Sequence, residues 1–175
     1  MKSSVEKESI MPLSDLLLPE FDTEIKKTRV TLERVPHDQP DFKPHEKSMA
    51  LVKLANHTAE MPMFLSLILT LPELDFKKPG VEFPKPPASH EERLERFDAM
   101  AAAARGQLAA TADEAMHESW KLSMGDYAIF DGTRYQALRS LFFNHMIHHR
   151  AQLGVYLRMT GCSVPSIYGP SADEK

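Results

Sequence analysis

The sequence predicts an all-α fold: a four-helix bundle with long crossing loops and a short β-hairpin. Three observations predict it. Four segments repeat apolar residues at i, i+3, i+4 and i+7, the period of a helix with one buried face. Leu, Met and Ala supply much of the 42% hydrophobic content, which favours helix. Proline-rich stretches separate the segments, so each helix must bury its stripe against the others, and a bundle is the simplest arrangement that does so. A length of 175 residues suits one domain with a sizeable core. That domain is expected over residues 1–175, with the bundle at about 14–160 and a packed tail at 161–175.

The first helix is expected over about 14–34, capped by Ser14. Leu17, Phe21, Ile25 and Leu32 form its apolar face, Pro19 falls in the first turns or kinks it, and Pro36 stops it. Residues 38–47, with Pro40 and Pro44, read as a loop. Ser48 starts a second helix over 49–69, on which Leu51, Leu54, Thr58, Met61, Leu65 and Ile68 share one face. Pro62 bends this helix just after His57. Residues 72–88 hold five prolines and form an ordered crossing loop or a mobile lid. Ser89 and Glu92 make a capping box for a third helix, from 90 to about 108. Thr111 and Glu114 repeat the pattern, so a break or short extra turn follows.

Residues 120–124 and 127–130 alternate on either side of Gly125-Asp126, which reads as a hairpin. Asp131 or Thr133 then opens the last helix, and Thr133 with Gln136 forms another capping box. Leu138, Leu141, Phe142, His145, His149, Gln152, Leu153 and Tyr156 follow its stripe, and Gly161 ends it. Val164, Ile167 and Tyr168 give the tail apolar groups to pack.

Charge and composition exclude several classes of function. The net charge is −4 and the basic residues form no block, so a nucleic-acid partner is not expected. Residues 1–9 carry both signs of charge and no apolar core, unlike a signal peptide. The longest nearly apolar run, 61–71, is far short of the ~20 residues that span a bilayer. Cys162 is the only cysteine, so no intrachain disulfide forms and a cytoplasmic location fits best. These points leave a small molecule as the expected partner.

The chemistry concentrates in histidine. His145 and His149 lie one helical turn apart and share a face, a spacing that suits zinc or another borderline divalent metal. The His-Glu-x-x-His pattern is absent because residue 146 is Met, so no general base comes with the pair. His148 points about 100° away from His149. His57 shares the inward face of Leu54 and Met61. An uncompensated imidazole there costs stability or loses its charge. Metal ligation resolves the problem, and so do ordinary hydrogen bonds. Glu60 reads either as a proton acceptor or as a solvated helix residue, and solvation is the commoner case. Asn144 and Gln152 either hydrogen-bond a ligand ring or face water. Tyr156 and Trp120 line a pocket or join the core. Arg150 and Arg158 can bind a carboxylate of a cofactor or substrate, although placement near a helix C-terminus also explains Arg158. His37, His45, His90 and His117 fall near loops or helix ends, where exposure is expected.

The segment Asn144-His145-Met146-Ile147-His148-His149-Arg150-Ala151-Gln152-Leu153, followed by Tyr156-Leu157-Arg158, resembles the DinB/YfiT-like superfamily. So do Leu17-Leu18-Pro19-Glu20-Phe21, Leu54-Ala55-Asn56-His57 and the tail from Val164 to Ser171. The resemblance covers almost the whole chain. Ala151 departs from the glycine common after the arginine. The resemblance implies a four-helix bundle, a homodimer, and a divalent metal, zinc or nickel, held by His57, His145 and His149. Some relatives transfer low-molecular-weight thiols such as bacillithiol or mycothiol, and others are described as metal-dependent hydrolases. The leading expectation is therefore a metal-dependent enzyme, a low-molecular-weight thiol S-transferase, with Arg150, Arg158 and Tyr156 contacting the thiol cosubstrate. Its alternatives are a metal-dependent hydrolase and a noncatalytic metal- or small-ligand-binding stress protein. An open coordination position beside a concave pocket favours catalysis, and a closed one favours a structural metal.

Overall fold

The structure is a computed structural model that describes residues 11–78 and 84–175. The expectation for residues 1–9 and the centre of the 72–88 loop lie outside the described residues. Helix α1 spans Leu13–Leu32 and ends earlier than expected. Ser14 is not its cap: it is buried within the first turn, and Pro12 holds the N-cap position without a side-chain bond. A distant carboxylate takes over the capping role, because Leu13 N–H donates to Asp113 Oδ1 at 2.8 Å. Leu17, Phe21 and Leu32 are buried, as the helical spacing predicts.

The single helix expected over 49–69 is two helices, α2 (Leu51–Ala59) and α3 (Met61–Thr70). The break falls at Glu60, and Pro62 sits in the first turn of α3, where its missing N–H leaves no bond unmade. Ser48 does not cap α2. The preceding loop does so with its backbone: Leu51 and Val52 donate to the carbonyls of Phe42 and Pro40. A two-residue strand, β1 (Leu74–Asp75), follows α3 inside the stretch read as loop.

Helix α4 spans His90–Ala110. Ser89 Oγ accepts from Glu92 N–H as the capping box predicts, but the Glu92 carboxylate returns to Ala88 N–H instead of to Ser89. The break after α4 is real and holds a short helix, α5 (Asp113–Met116), but Thr111 does not cap it. Its hydroxyl donates back to the Gln107 carbonyl. Strands β2 (Ser119–Met124) and β3 (Tyr127–Thr133) form the expected hairpin, turning at Gly125 with φ +62°. β1 adds to β2 in parallel, with Leu74 opposite Leu122, giving a small three-stranded sheet.

Thr133 and Gln136 make both bonds of the capping box at the start of α6 (Arg134–Ala137). The last helix is not uniform. A π-helical segment, Leu138–Asn144, separates α6 from α7 (His145–Met159). Its wider turns bring the adjacent Phe142 and Phe143 both into the core, while Leu141 is only partly buried. A constant 3.6-residue period cannot anticipate that.

Four helical rods, α1, α2–α3, α4 and the π segment with α7, form the bundle around two buried clusters. One is built on Phe21, Met61, Leu65, Trp120 and Phe142, with the sheet against it. The other is built on Leu32, Leu54, Phe97, Leu153 and Leu157. The tail is tied down by ion pairs from Arg34 to Glu174 and from Arg158 to Asp173. No helix among the described residues is long and apolar enough to cross a membrane.

Candidate metal centre

Helices α2 and α7 pack against each other and bring His57 to His145 and His149. One ring nitrogen of each lies within 4.8 Å of those of the other two. The His57 ring centroid is 4.5 Å from that of His149 and 5.3 Å from that of His145. His149 is buried and the other two are half-buried. The position of His145 depends on the π segment, whose last residue is its neighbour Asn144.

The second nitrogens orient the rings. His149 Nδ1 is 2.8 Å from Gln152 Oε1, and the Leu141 carbonyl accepts from the His145 ring. The two Nε2 atoms then face each other at 2.7 Å. With hydrogens on both Nδ1 atoms, that contact sets lone pair against lone pair, which a cation relieves. Burial pushes the His57 imidazole down to about 4, helped by the charges of His149 and His145. Burial also lowers His145 and His149, against the opposing pull of the Leu141 and Gln152 bonds. All three are therefore neutral donors at pH 7, the state that metal ligation requires. Three nitrogen donors of this kind fit zinc, nickel or a similar borderline ion.

The other predicted residues are placed as follows. Gln152 orients His149, whereas Asn144 and His148 are exposed. Glu60 is half-buried, not solvated; burial raises its carboxyl above the usual range, with Arg96 opposing. Trp120 belongs to the core and donates to the Leu71 carbonyl. Tyr156 is buried and its hydroxyl donates to the Met49 carbonyl at 2.9 Å. Arg150 Nη2 lies 2.5 Å from Glu24 Oε2 and 2.6 Å from the Tyr168 hydroxyl. Arg158 pairs with Asp173 at 2.6 Å. Both arginines line a cavity of about 500 Å³ between α7 and the tail. Helical periodicity turns its α7 wall, with Gly154 and Arg158, away from the histidine face. His37, His45 and His117 are exposed, while His90 is half-buried with its ring centroid 4.6 Å from that of His37.

Two contributors escaped sequence reasoning. The Leu141 carbonyl reaches His145 from the π segment, which no residue pattern announced. Arg93 is buried on α4 beside Asn56, the neighbour of His57, and only the apolar stripe of α4 was legible there.

The fold has relatives. A DinB-like protein from Bacillus cereus ATCC 10987 superposes with a TM-score of 0.68 at 18% identity, over 90% of this chain and 98% of that one. A DinB-like protein from Bacillus subtilis gives 0.63 at 18% identity, over 91% and 99%. YfiT from Bacillus subtilis, described as a probable metal-dependent hydrolase with an unusual four-helix bundle topology, gives 0.63 at 18% identity, over 93% and 94%. These likenesses establish the shared bundle. No curated protein matches the chain. The model of the DinB family matches residues 4–175, and the chain belongs to that family.

Proposed function

We propose that this protein is a divalent-metal-dependent enzyme whose ion is held by His57, His145 and His149, and that hydrolysis of a small molecule is its reaction. One observation carries this reading: three neutral imidazoles from two helices converge within 4.8 Å. When bound, the ion supplies Lewis acidity to a water or thiol at a fourth position. The chain's own part is to hold the donors. Gln152 and Leu141 fix the rings, and burial keeps the three imidazoles uncharged, each with a ring nitrogen lone pair to offer. The description of YfiT supports hydrolysis. Thiol S-transfer is the second reading. The arginines expected to hold a thiol's carboxylate are engaged with Glu24 and Asp173 on another face of α7, which favours water over thiol as the nucleophile.

The enzyme reading includes a homodimer in the cytoplasm. Exposed Val155 and Met159 on α7 offer apolar surface that a second copy would cover. Sedimentation equilibrium reports that state.

The test combines metal analysis with a reaction panel. Metal-stripped protein is reloaded with zinc or nickel and offered carboxylic esters and amides, with and without added low-molecular-weight thiols. Metal-dependent turnover that needs no thiol supports hydrolysis. Turnover only with a thiol moves the assignment to S-transfer. Stoichiometric metal with no turnover in either arm leaves a noncatalytic binding protein. Undiminished metal content in His149→Ala overturns the centre itself.

A further inference from the structure

A second site lies between α2 and α4. A cavity of about 340 Å³ is walled by Ala59, Pro84, Pro87, Ala99 and Met100, and three cations, Lys85, Arg93 and Arg96, enter its lining. The cations are not equivalent. Arg96 is committed: it pairs with Glu92 and donates to the Lys85 carbonyl at 2.6 Å, which ties the loop carrying Lys85 to α4. Arg93 is 7% exposed. Its Nε donates to Asn56 Oδ1 at 2.7 Å, and its Nη1 lies 3.3 Å from His90 Nδ1. Both partners are neutral, and Glu91 acts on the guanidinium only from a distance.

Among the described residues, the other two buried arginines each have a carboxylate: Arg134 has Glu118 and Arg150 has Glu24. A buried guanidinium without a counter-ion is costly, and the cavity it lines offers room for one from outside. We propose that this cavity binds a small organic carboxylate with a short apolar body, its carboxylate held by Arg93 and Lys85 and its body against Met100 and the prolines. The planar fork of arginine suits a carboxylate. The mostly apolar walls favour an organic acid over inorganic phosphate, and the volume suits a small molecule. Among the described residues, Glu60 is the one acid in the lining, and its negative charge opposes the ligand. The proposal does not rest on the metal centre.

Isothermal titration of the purified protein with sodium hexanoate tests it, with 1-hexanol and inorganic phosphate as controls. Hexanoate is expected to bind saturably at one site, and both controls roughly tenfold or more weakly, because one lacks the charge and the other the apolar body. Chelating the metal is expected to leave hexanoate affinity unchanged, which separates this site from the histidine centre. Arg93→Gln should lose roughly tenfold or more in affinity and Arg93→Lys less, since a point charge keeps the attraction without the fork. Should Arg93→Gln fail to fold, two variants at less buried positions carry the test: Lys85→Ala weakens binding and Glu60→Gln tightens it. Arg158→Gln, in the other cavity, changes nothing. Any one of three results overturns the proposal: no saturable binding up to tens of millimolar, hexanol binding as tightly as hexanoate, or unchanged affinity in both Lys85→Ala and Glu60→Gln.

Discussion

His145 and His149 present their Nε2 atoms to each other at 2.7 Å, while Gln152 holds the far side of the His149 ring. The orientation is thus set by an amide one turn farther along the same helix. Gln152→Ala should keep all three ligands and lose their alignment, weakening metal affinity roughly 10–100-fold. Gln152→Glu, which keeps an acceptor at the same place, should retain most of it. Competition with a chromophoric chelator measures both. Equal affinity in Gln152→Ala and the native protein would remove the orienting role.

The protonation of the centre gives a pH prediction. The folded-state values of His57, His145 and His149 lie below the ordinary 6.5. The unfolded chain therefore binds more protons than the folded one below about 6.5, and stability falls with pH there. The cost builds through the window from 6.5 down to about 4, where His57 itself titrates when folded. Metal-stripped protein should lose thermal stability across that window, and loaded protein should release its ion as the ligands take up protons. His57→Phe should flatten the stripped protein's profile. A melting temperature independent of pH between 7 and about 5 would contradict the burial of these rings.

How much of this was legible beforehand depends on range. Thr133 with Gln136 and Ser89 with Glu92 announce helix starts within four residues, and those starts are present. The spacing of His145 and His149 announces a shared face, and the two rings meet. Ser14, Ser48 and Thr111 carry the same local signal and none of them caps a helix N-terminus. Asp113, the Phe42 and Pro40 carbonyls, and the Gln107 carbonyl compete for the bonds concerned. β1 forms because Leu74 finds a partner at Leu122, a pairing no window around residue 74 contains. The π segment answers to packing of Phe142 and Phe143 against the core. Arg93 is invisible for the same reason: burial of a charged residue is decided by what stands around it.

The Glu24–Arg150 pair is a second, separable acid-sensitive element. Both side chains are buried, and Tyr168 donates to the same carboxylate at 2.6 Å, joining the tail to α1 and α7. Burial raises the Glu24 carboxyl, but the Tyr168 and Arg150 bonds outweigh it and hold the group below its ordinary 4.5. A lowered glutamate contributes stability that is complete above 4.5 and fades as pH falls through the folded value, below the histidine window. Removing one partner strands the other charge, so Arg150→Met should cost about 3–5 kcal/mol. Tyr168→Phe removes one hydrogen bond to a charged group and should cost about 1.5–3 kcal/mol. Urea unfolding at pH 7 checks both, and a cost under about 1 kcal/mol for Arg150→Met would show that the pair contributes little.

The capping box at Thr133 tests whether helix stability and metal binding can be separated. Its two bonds, from Gln136 N–H to Thr133 Oγ1 and from Thr133 N–H to Gln136 Oε1, lie at the start of α6. The whole π segment intervenes before His145. Thr133→Ala removes an acceptor for a helix-end N–H and should cost about 1 kcal/mol. The ligands are held by contacts of α7 with α2 and by Gln152 and Leu141, none of which involves the cap. Metal affinity should therefore stay within about twofold of native while the unfolding midpoint drops. A parallel loss of metal affinity would mean that α6, the π segment and α7 respond as one rigid rod, with the cap at Thr133 setting the position of His145 from twelve residues away.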